Sequence, residues 1–150
     1  MGDYVPFYYA PRSPMLYSIK CGNVPGVEPD QDRIVYLVAR TEDFSAPSFV
    51  VSDGNAAHDL TSFHGSHEAI HTHVDWEIMR ATYWANTDED GDRMRRRMAE
   101  FLVHRFVEWP RVRALATRVA ATRQAILALY ERLRPAHRPP VSVNPGWYYP

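Results

Sequence analysis

A dense cationic cluster runs directly into a single carboxylate and an apolar segment, and this stretch constrains the fold more than any other. Glu100 follows the last arginine by three residues and leads straight into Phe101-Leu102-Val103. Aromatic and β-branched residues in such a run are typical of a buried strand. We therefore predict a strand that holds Glu100 rigidly at its entrance, next to positive charge suited to a polyanion. The arginines are Arg93, Arg95, Arg96 and Arg97.

The residues alone leave two interpretations of this stretch open. In the first, the arginines bind phosphates and Glu100 is a catalytic carboxylate on a rigid element. In the second, the arginines form a solvated face or pair with the acidic residues just before them, and Glu100 is an ordinary surface acid. Composition by itself favours the second. The acidic residues are Asp88, Glu89, Asp90 and Asp92.

Length and composition predict one compact domain over residues 1–150. A chain of 150 residues buries roughly 70% of its unfolded surface. The hydrophobic fraction of 45% and the charged fraction of 23% are those of a soluble globular protein, and twelve prolines indicate many loops rather than disorder. The net charge of −1 excludes nothing, because the acidic and basic residues are segregated along the chain.

Cysteine usage and the amino terminus predict a reducing compartment. Cys21 is the one cysteine, so it has no partner for an internal disulfide or a zinc site. The start, Met1–Pro6, lacks the basic and apolar regions of a signal peptide, and no apolar stretch reaches membrane-spanning length. We expect a cytoplasmic protein with no membrane partner.

Local patterns in the first third of the chain place Arg12 in a strand-to-helix turn. Residues 5–10 are apolar and aromatic between prolines, which predicts a short strand. Ser13 is a suitable N-cap, with Pro14 at the first helical position and Gly22 after the last turn. Further strands are predicted over residues 34–39 and 49–51, the second closed by a turn at residues 53–55.

The segment from residue 56 to 92 is the least regular, and we predict a long loop region with short helical turns. It contains several histidines, but no HExxH pattern and no cysteine partner accompany them, so we predict no metal site. After the strand at Glu100, Trp109-Pro110 marks a turn and Val119–Leu133 suits an amphipathic helix. Residues 141–143 are predicted to form a last short strand.

Five segments together resemble the DarT family of DNA ADP-ribosyltransferase toxins. The first and fourth are long and unusual enough to be specific, and the order and spacing of all five match the family nearly from end to end. The segments are Tyr4–Leu16, Ile34–Val38, Asp53–Ala57, Arg95–Val103 and Trp147–Tyr149.

The resemblance implies an α+β protein of the ADP-ribosyltransferase-like fold, with a central, mostly antiparallel split β-sheet flanked by helices. It also implies transfer of ADP-ribose from NAD to a base, usually thymidine, in single-stranded DNA. Cleavage of the nicotinamide–ribose bond develops oxocarbenium character, which a fixed carboxylate stabilises. Glu100 is the implied catalytic carboxylate and also helps to remove the proton from the attacking base nitrogen. Arg12 is implied in catalysis and in holding the phosphates or ribose of NAD.

The other implied site residues divide between the two substrates. Met15 and Asn55 lie in matching motifs and are expected to line the NAD pocket, although packing and turn roles suit them equally. Residues 83–98 correspond to the loop that recognises the acceptor, in which aromatic rings stack on bases and arginines contact phosphates. The predicted nucleic-acid-binding residues are Tyr83, Trp84, Arg93, Arg95, Arg96 and Arg97.

One departure from the family keeps two functions open. Family members carry a longer segment ahead of the position of Tyr4, with polar residues that help to bind NAD, so the chain is expected to be truncated at its N-terminus. The first function is an active toxin restrained by a macrodomain antitoxin, DarG. The second is a catalytically impaired remnant that binds single-stranded nucleic acid. A guanosine or RNA acceptor also stays open, because base choice depends on pocket shape.

Overall fold

The computed structural model describes residues 2–150, which form an α+β protein whose strands divide between two sheets. All strand pairs but one are antiparallel within this part of the chain. This confirms the predicted fold class. The strands are β1 (Tyr4–Tyr8), β2 (Val35–Val38), β3 (Phe49–Ser52), β4 (Phe63–His64), β5 (Glu100–His104), β6 (Ala114–Thr117) and β7 (Val141–Val143). The helices are α1 (Pro14–Lys20), α2 (Glu68–Thr72), α3 (Trp76–Arg80), α4 (Arg93–Arg97) and α5 (Ala120–Leu133).

The chain forms two compact units, each built from two separate stretches of sequence. The first unit contains the described residues of Met1–Ser13 together with Thr41–Val107. The second unit contains Pro14–Arg40 and Glu108–Pro150. Each unit has one of the two sheets, so every predicted site residue except Met15 belongs to the first unit.

The sheet of the first unit has the strand order β1-β5-β3-β4 and is antiparallel throughout. Strand β5 lies between β1 and β3 and is buried on both faces, with Phe101, Leu102 and Val103 each 2–4% exposed. A continuous apolar run suits such a position because both faces of the strand are covered. The predicted strand is thereby confirmed, with Glu100 as its first residue.

Aromatic packing on one face of this sheet holds β5 in place. The ring of Phe101 stacks on Phe49 with centroids 4.7 Å apart, and Phe44 packs against Phe101 at 5.7 Å. Successive side chains of a strand point to opposite faces. Glu100 therefore projects from the face opposite this aromatic cluster, while its neighbour Phe101 anchors the strand.

The sheet of the second unit has the order β2-β6-β7, with β2 and β6 antiparallel and β6 and β7 parallel. Helix α1 begins at Pro14, as predicted from the Ser13-Pro14 pair. The closing aromatic segment serves packing, because Tyr148 is buried and its hydroxyl lies 2.9 Å from the carbonyl oxygen of Ile34 and 3.0 Å from that of Ala116.

Two local features differ from the sequence predictions, and a third agrees with them in its bounds but not in its burial. Strand β6 was not predicted, because Ala-Leu-Ala-Thr has little intrinsic strand preference and pairing with β2 and β7 forms it. The segment from 56 to 92 contains β4, α2 and α3 rather than loop and helical turns alone. Helix α5 is confirmed, but its apolar residue Leu133 is 67% exposed. Within residues 2–150, no helix has the length and apolarity needed to cross a bilayer.

Candidate active site

Glu100 is half-buried at the entrance of β5, where it contacts the end of β3 and the turn that follows β3. The Ala56 N–H donates a hydrogen bond to Oε2 of Glu100 over 3.3 Å. Ser52, fully buried at the end of β3, accepts a hydrogen bond from the Glu100 N–H at 2.9 Å. The Ser52 hydroxyl in turn donates to the Gly54 carbonyl at 2.7 Å. These contacts fix both the backbone and the carboxylate of Glu100.

Burial changes the acid–base properties of this carboxylate. Desolvation raises the pKa of Glu100 above its ordinary value of 4.5, and the hydrogen bond from Ala56 opposes the shift only in part. A carboxylate with a raised pKa on a rigid strand has the properties expected of a catalytic group. Partial burial and the hydrogen bond from Ala56 distinguish Glu100 from a fully exposed surface acid.

Tyr8 is a residue of this site that the sequence analysis missed. It lies directly opposite Glu100 in the β1–β5 ladder, so the two side chains share one face of the sheet. Burial and the charge of Glu100 together raise the pKa of the Tyr8 phenol to about 12, which keeps the phenol protonated at neutral pH. The strand register reveals this neighbour, and no spacing in the sequence signals it.

Arg95 is largely buried and binds two carboxylates of its own unit. Its guanidinium makes two hydrogen bonds to Asp92, at 2.7 and 2.8 Å, and donates to Asp53 at 2.9 Å. Its side chain is 11% exposed and lies against Gly54. The Arg95 carbonyl accepts a hydrogen bond from the Asn55 N–H at 2.9 Å. Arg95 therefore anchors the turn that carries the donor to Glu100.

Arg96 and Arg97 are also bound to neighbouring groups. Arg96 forms ion pairs with Asp75, at 3.1 Å, and with Asp90. Arg97 is only 4% exposed, and its Nη2 atom donates to the carbonyl oxygens of Pro11 and Arg12 at 3.0 and 3.2 Å. An unpaired charge is costly to bury. Arg96 is therefore paired with carboxylates, and Arg97 is hydrogen-bonded to backbone carbonyl oxygens.

The prediction that all four arginines contact phosphates is therefore not supported at Arg95, Arg96 and Arg97, whose guanidinium groups bind partners within the protein. The alternative of pairing with the preceding acids describes Arg95 and Arg96, and Arg97 binds backbone carbonyls instead. The four arginines lie in the five-residue helix α4, whose turn points their side chains in different directions. Arg95 and Arg97 have almost no exposed surface with which to contact a polyanion.

The loop between α3 and α4 presents an aromatic ring to solvent. Tyr83 is 85% exposed and Trp84 is half-buried. Arg93 organises this loop by donating to the carbonyl oxygens of Tyr83, at 2.7 Å, and Ala85, at 3.0 Å. The Asn86 side chain accepts from the Met94 N–H at 2.8 Å. The loop is thus tied to the start of α4 with Tyr83 held outwards.

Arg12 lies in the turn after β1, as predicted, and it has an unusual backbone. Its φ of 55° falls in the left-handed region, which residues other than glycine seldom adopt. The side chain is half-buried. Tyr8 and Glu100 form the last pair of the β1–β5 ladder. The turn that contains Arg12 follows Tyr8 along the chain, so it begins at the end of the ladder where Glu100 lies.

The two residues expected to line an NAD pocket fall in different surroundings. The Asn55 side chain accepts a hydrogen bond from the Ala57 N–H at 2.9 Å and lies 3.6 Å from the sulfur of Met98, so it acts as a turn residue. Met15 is on α1 in the second unit and is 47% exposed. Asn55 thus supports the turn that contacts Glu100, whereas Met15 belongs to the second unit.

Three histidines of the irregular segment contact neighbouring groups within their unit. The rings of His64 and His73 are tilted by 34° with centroids 3.6 Å apart. His67 packs on Phe49, and its Nε2 lies 3.0 Å from the Thr41 carbonyl oxygen. Across the part of the chain that the structure describes, no three side chains of the ligand-forming types are grouped as a metal site requires.

Comparison with known proteins connects this site to a family. A family profile described as "ssDNA thymidine ADP-ribosyltransferase, DarT" matches residues 1–149. The DNA ADP-ribosyl transferase of Thermus aquaticus is 36% identical over 152 residues, covering 98% of this chain and 64% of that protein. A protein of the same description from Mycobacterium tuberculosis is 34% identical over 149 residues, again covering 98% of this chain and 64% of the relative.

Solved structures show the same fold. The chain superimposes on Thermus sp. 2.9 DarT in complex with NAD+ with a TM-score of 0.86 at 31% identity, covering 98% of this chain and 73% of that one. The match to the same protein in complex with ADP-ribosylated ssDNA has a TM-score of 0.88 at 31% identity, with 98% and 69% covered. The chain spans about two thirds of the length of these relatives. Since the profile extends over almost every residue, from the Arg12 turn to the Glu100 strand and beyond, this chain belongs to the DarT family.

Proposed function

We propose that this chain takes part in NAD-dependent ADP-ribosylation of a base, thymidine first among the candidates, in single-stranded DNA. The observation that carries the proposal is the Glu100 carboxylate, which backbone and side-chain hydrogen bonds fix at the entrance of β5. Relatives of similar sequence are described as DNA ADP-ribosyl transferases, and related structures hold NAD+ and ADP-ribosylated ssDNA. Family membership and this geometry support the same chemistry.

Glu100 has the central role in the proposed reaction. The carboxylate stabilises the positive character that develops on the ribose as the bond to nicotinamide breaks. It also accepts the proton that the base nitrogen loses as that nitrogen bonds to the ribose carbon. NAD supplies the ADP-ribosyl group, and nicotinamide leaves with the electron pair of the bond that joined it to the ribose. The raised pKa of Glu100 favours proton acceptance, because a base performs best when its pKa approaches the working pH.

Arg12 and Tyr8 complete the proposed active site. The donor set fits a dinucleotide, because a guanidinium binds phosphate or ribose oxygens and a protonated phenol donates a hydrogen bond to a sugar hydroxyl. We propose that Arg12 orients NAD, with Asn55 acting only through the turn that it stabilises. Tyr8 lies opposite Glu100 on the same face of the sheet, and its phenol stays protonated at neutral pH because its pKa is raised to about 12.

The acceptor strand is proposed to bind at the loop of residues 83–92. Tyr83 offers an exposed ring for base stacking, and Trp84 lies next to it. Among the arginines, Arg93 has the position best suited to this surface because it follows the loop directly and is bound to its carbonyls. An unpaired strand suits such a site, since no duplex needs to be opened.

We further propose that the activity is toxic to the producing cell and that a macrodomain antitoxin, DarG, removes the modification. This part of the proposal rests on family membership. Expression of the chain with Glu100 intact is expected to arrest growth, and Glu100→Gln is expected to relieve the arrest. Equal growth with both forms would argue against a toxin.

The direct test is incubation of the purified chain with labelled NAD and a mixed-sequence single-stranded oligonucleotide. We expect label on the DNA, reduced by about 10²- to 10⁴-fold in Glu100→Gln. Glu108→Gln is the matched control, because this carboxylate pairs with Arg111 in the second unit. Absence of transfer, with binding of the oligonucleotide retained, would favour the alternative of a non-catalytic single-strand-binding protein.

A further inference from the structure

We infer that Arg97 is a positioning residue, which holds the Pro11–Arg12 turn so that the Arg12 side chain is presented to the active site. The inference rests on the proposed function, because Arg12 is assigned to NAD binding there. Arg97 was expected to bind DNA phosphates, and its burial excludes that role. The contacts of its guanidinium indicate a different one.

The guanidinium of Arg97 bridges two consecutive backbone carbonyls. Its Nη2 atom lies 3.0 Å from the Pro11 oxygen and 3.2 Å from the Arg12 oxygen, so its two N–H bonds serve both acceptors. The Nη1 atom lies 3.5 Å from the sulfur of Met79 on helix α3. A planar guanidinium makes such a bridge with little loss of freedom, whereas a lysine ammonium on a flexible stem is less well organised for it.

The turn held in this way has a backbone that needs support. Arg12 adopts a φ of 55°, and a left-handed conformation in a residue with a side chain persists only where its surroundings impose it. The two carbonyls that flank this conformation are the acceptors of Arg97. Arg97 therefore favours the strained turn directly, and the direction of the Arg12 side chain follows from that turn.

The position of Arg97 along the chain connects both proposed catalytic residues. It ends helix α4, three residues before Glu100, while the turn that it binds follows β1. Strands β1 and β5 meet at the Tyr8–Glu100 pair. The Arg97 contact closes this end of the two-strand ladder, so that Arg12 and Glu100 keep a constant relation to one another.

The test combines a structural and a kinetic measurement on Arg97→Lys. The Arg12 and Ser13 amides report on the turn by hydrogen exchange, because Pro11 and Pro14 have none. We expect their exchange to accelerate by about tenfold or more, while the amides of β5 keep their protection. The matched control is Arg93→Lys, since Arg93 also donates to two carbonyls from the same helix, and it is expected to leave exchange in the Arg12 turn unchanged.

The kinetic measurement is a double-mutant cycle with Arg12→Lys, read as kcat/KM for NAD cleavage. Arg97→Lys is expected to lower kcat/KM by about tenfold when Arg12 is present, and by less than about twofold when Arg12 is already Lys. If Arg97 contributed only to general stability, Arg97→Lys would lower kcat/KM by the same factor whether residue 12 is Arg or Lys. Equal factors, or unchanged exchange in the turn, would overturn the inference.

Loss of NAD cleavage in the parent chain and misfolding of Arg97→Lys have separate consequences for the inference. If the parent chain cleaves no NAD, the proposed function fails, and the exchange measurement alone judges whether Arg97 holds the turn. If Arg97→Lys does not fold, Arg97→Gln replaces it, because the glutamine removes the buried charge and keeps an N–H donor. Loss of folding in both variants would assign Arg97 a purely structural role and refute the inference.

Discussion

The hydroxyl of Ser52 binds the backbone of Glu100, accepting its N–H at 2.9 Å while donating to the Gly54 carbonyl at 2.7 Å. One buried side chain thereby joins the end of β3 to the entrance of β5 and to the turn whose Ala56 N–H binds the carboxylate. Two strand ends and a turn, distant in sequence, therefore define the position of the proposed catalytic group.

Ser52→Ala is expected to lower the free energy of unfolding by about 1–3 kcal/mol, because the partly buried Glu100 N–H and the buried Gly54 carbonyl lose their partner. Urea denaturation measures the change. Ser48→Ala is the control, since that hydroxyl bonds to Ser45 at the surface and its loss is expected to change stability by less than about 0.5 kcal/mol. Equal effects of the two substitutions would contradict the role assigned to Ser52.

Glu100→Gln is expected to make the protein more stable at neutral pH, because burial disfavours the ionised carboxylate and raises its pKa above 4.5. The folded state binds the proton more tightly than the unfolded state. Stability of the parent therefore falls as pH rises from below the ordinary value through the raised one, whereas the glutamine variant escapes this loss. Denaturation at pH 4 and pH 7 should show the larger advantage at pH 7, and an equal advantage at both would refute the assignment.

The same pKa shift predicts the pH dependence of DNA modification. A carboxylate that accepts a proton must be ionised, so kcat/KM for the oligonucleotide is expected to fall with decreasing pH through a value above 4.5. The profile is measured between pH 4 and pH 9 with short reaction times, and stability at each pH is followed by circular dichroism. Full activity persisting down to pH 4.5 would show that Glu100 is not the base.

Gly54→Ala is expected to destabilise the protein by about 1–3 kcal/mol, because the new methyl group would overlap Nη1 of Arg95 and lie 3.0 Å from its Cγ and Cζ atoms. Arg95 is held by Asp53 and Asp92 and has little room to move. Gly91→Ala is the control, since the structure places nothing within 4 Å of its Cβ position.

A rescue experiment separates steric overlap from other causes. In the Gly54→Ala background, Arg95→Ala removes the atoms that the methyl group meets, so the two losses are expected to be less than additive. If the two losses in the free energy of unfolding were fully additive, steric overlap between Arg95 and the new methyl group would not be the cause of the destabilisation.

Tyr83→Ala is expected to weaken binding of a single-stranded oligonucleotide by about 1–3 kcal/mol, the contribution of one base stacked on an aromatic ring. Fluorescence anisotropy with the Glu100→Gln form measures binding without turnover. Phe106→Ala is the matched control, because Phe106 is also an exposed aromatic residue but lies outside the loop of residues 83–92. A loss that is equal for both rings would refute a specific role for Tyr83.

Local sequence patterns were sufficient for the elements that present the site. The run Phe101-Leu102-Val103 predicts a buried strand because both faces of such a segment are apolar. Ser13 and Pro14 predict the start of α1 because a cap and a proline act within one helical turn. The placing of Arg12 in a turn and of Glu100 at a strand entrance follows from these two local rules.

Tertiary structure decided what the side chains do. The arginines of α4 look alike in the sequence, yet Arg95 binds carboxylates, Arg97 binds carbonyls and Arg93 binds the loop before it. The nearest acceptors of a guanidinium belong to segments distant in the chain, and only strand pairing and burial bring them together. The neighbour of Glu100, Tyr8, was likewise set by the register of β1 on β5. Periodicity determined which elements form, and packing determined which charged groups meet.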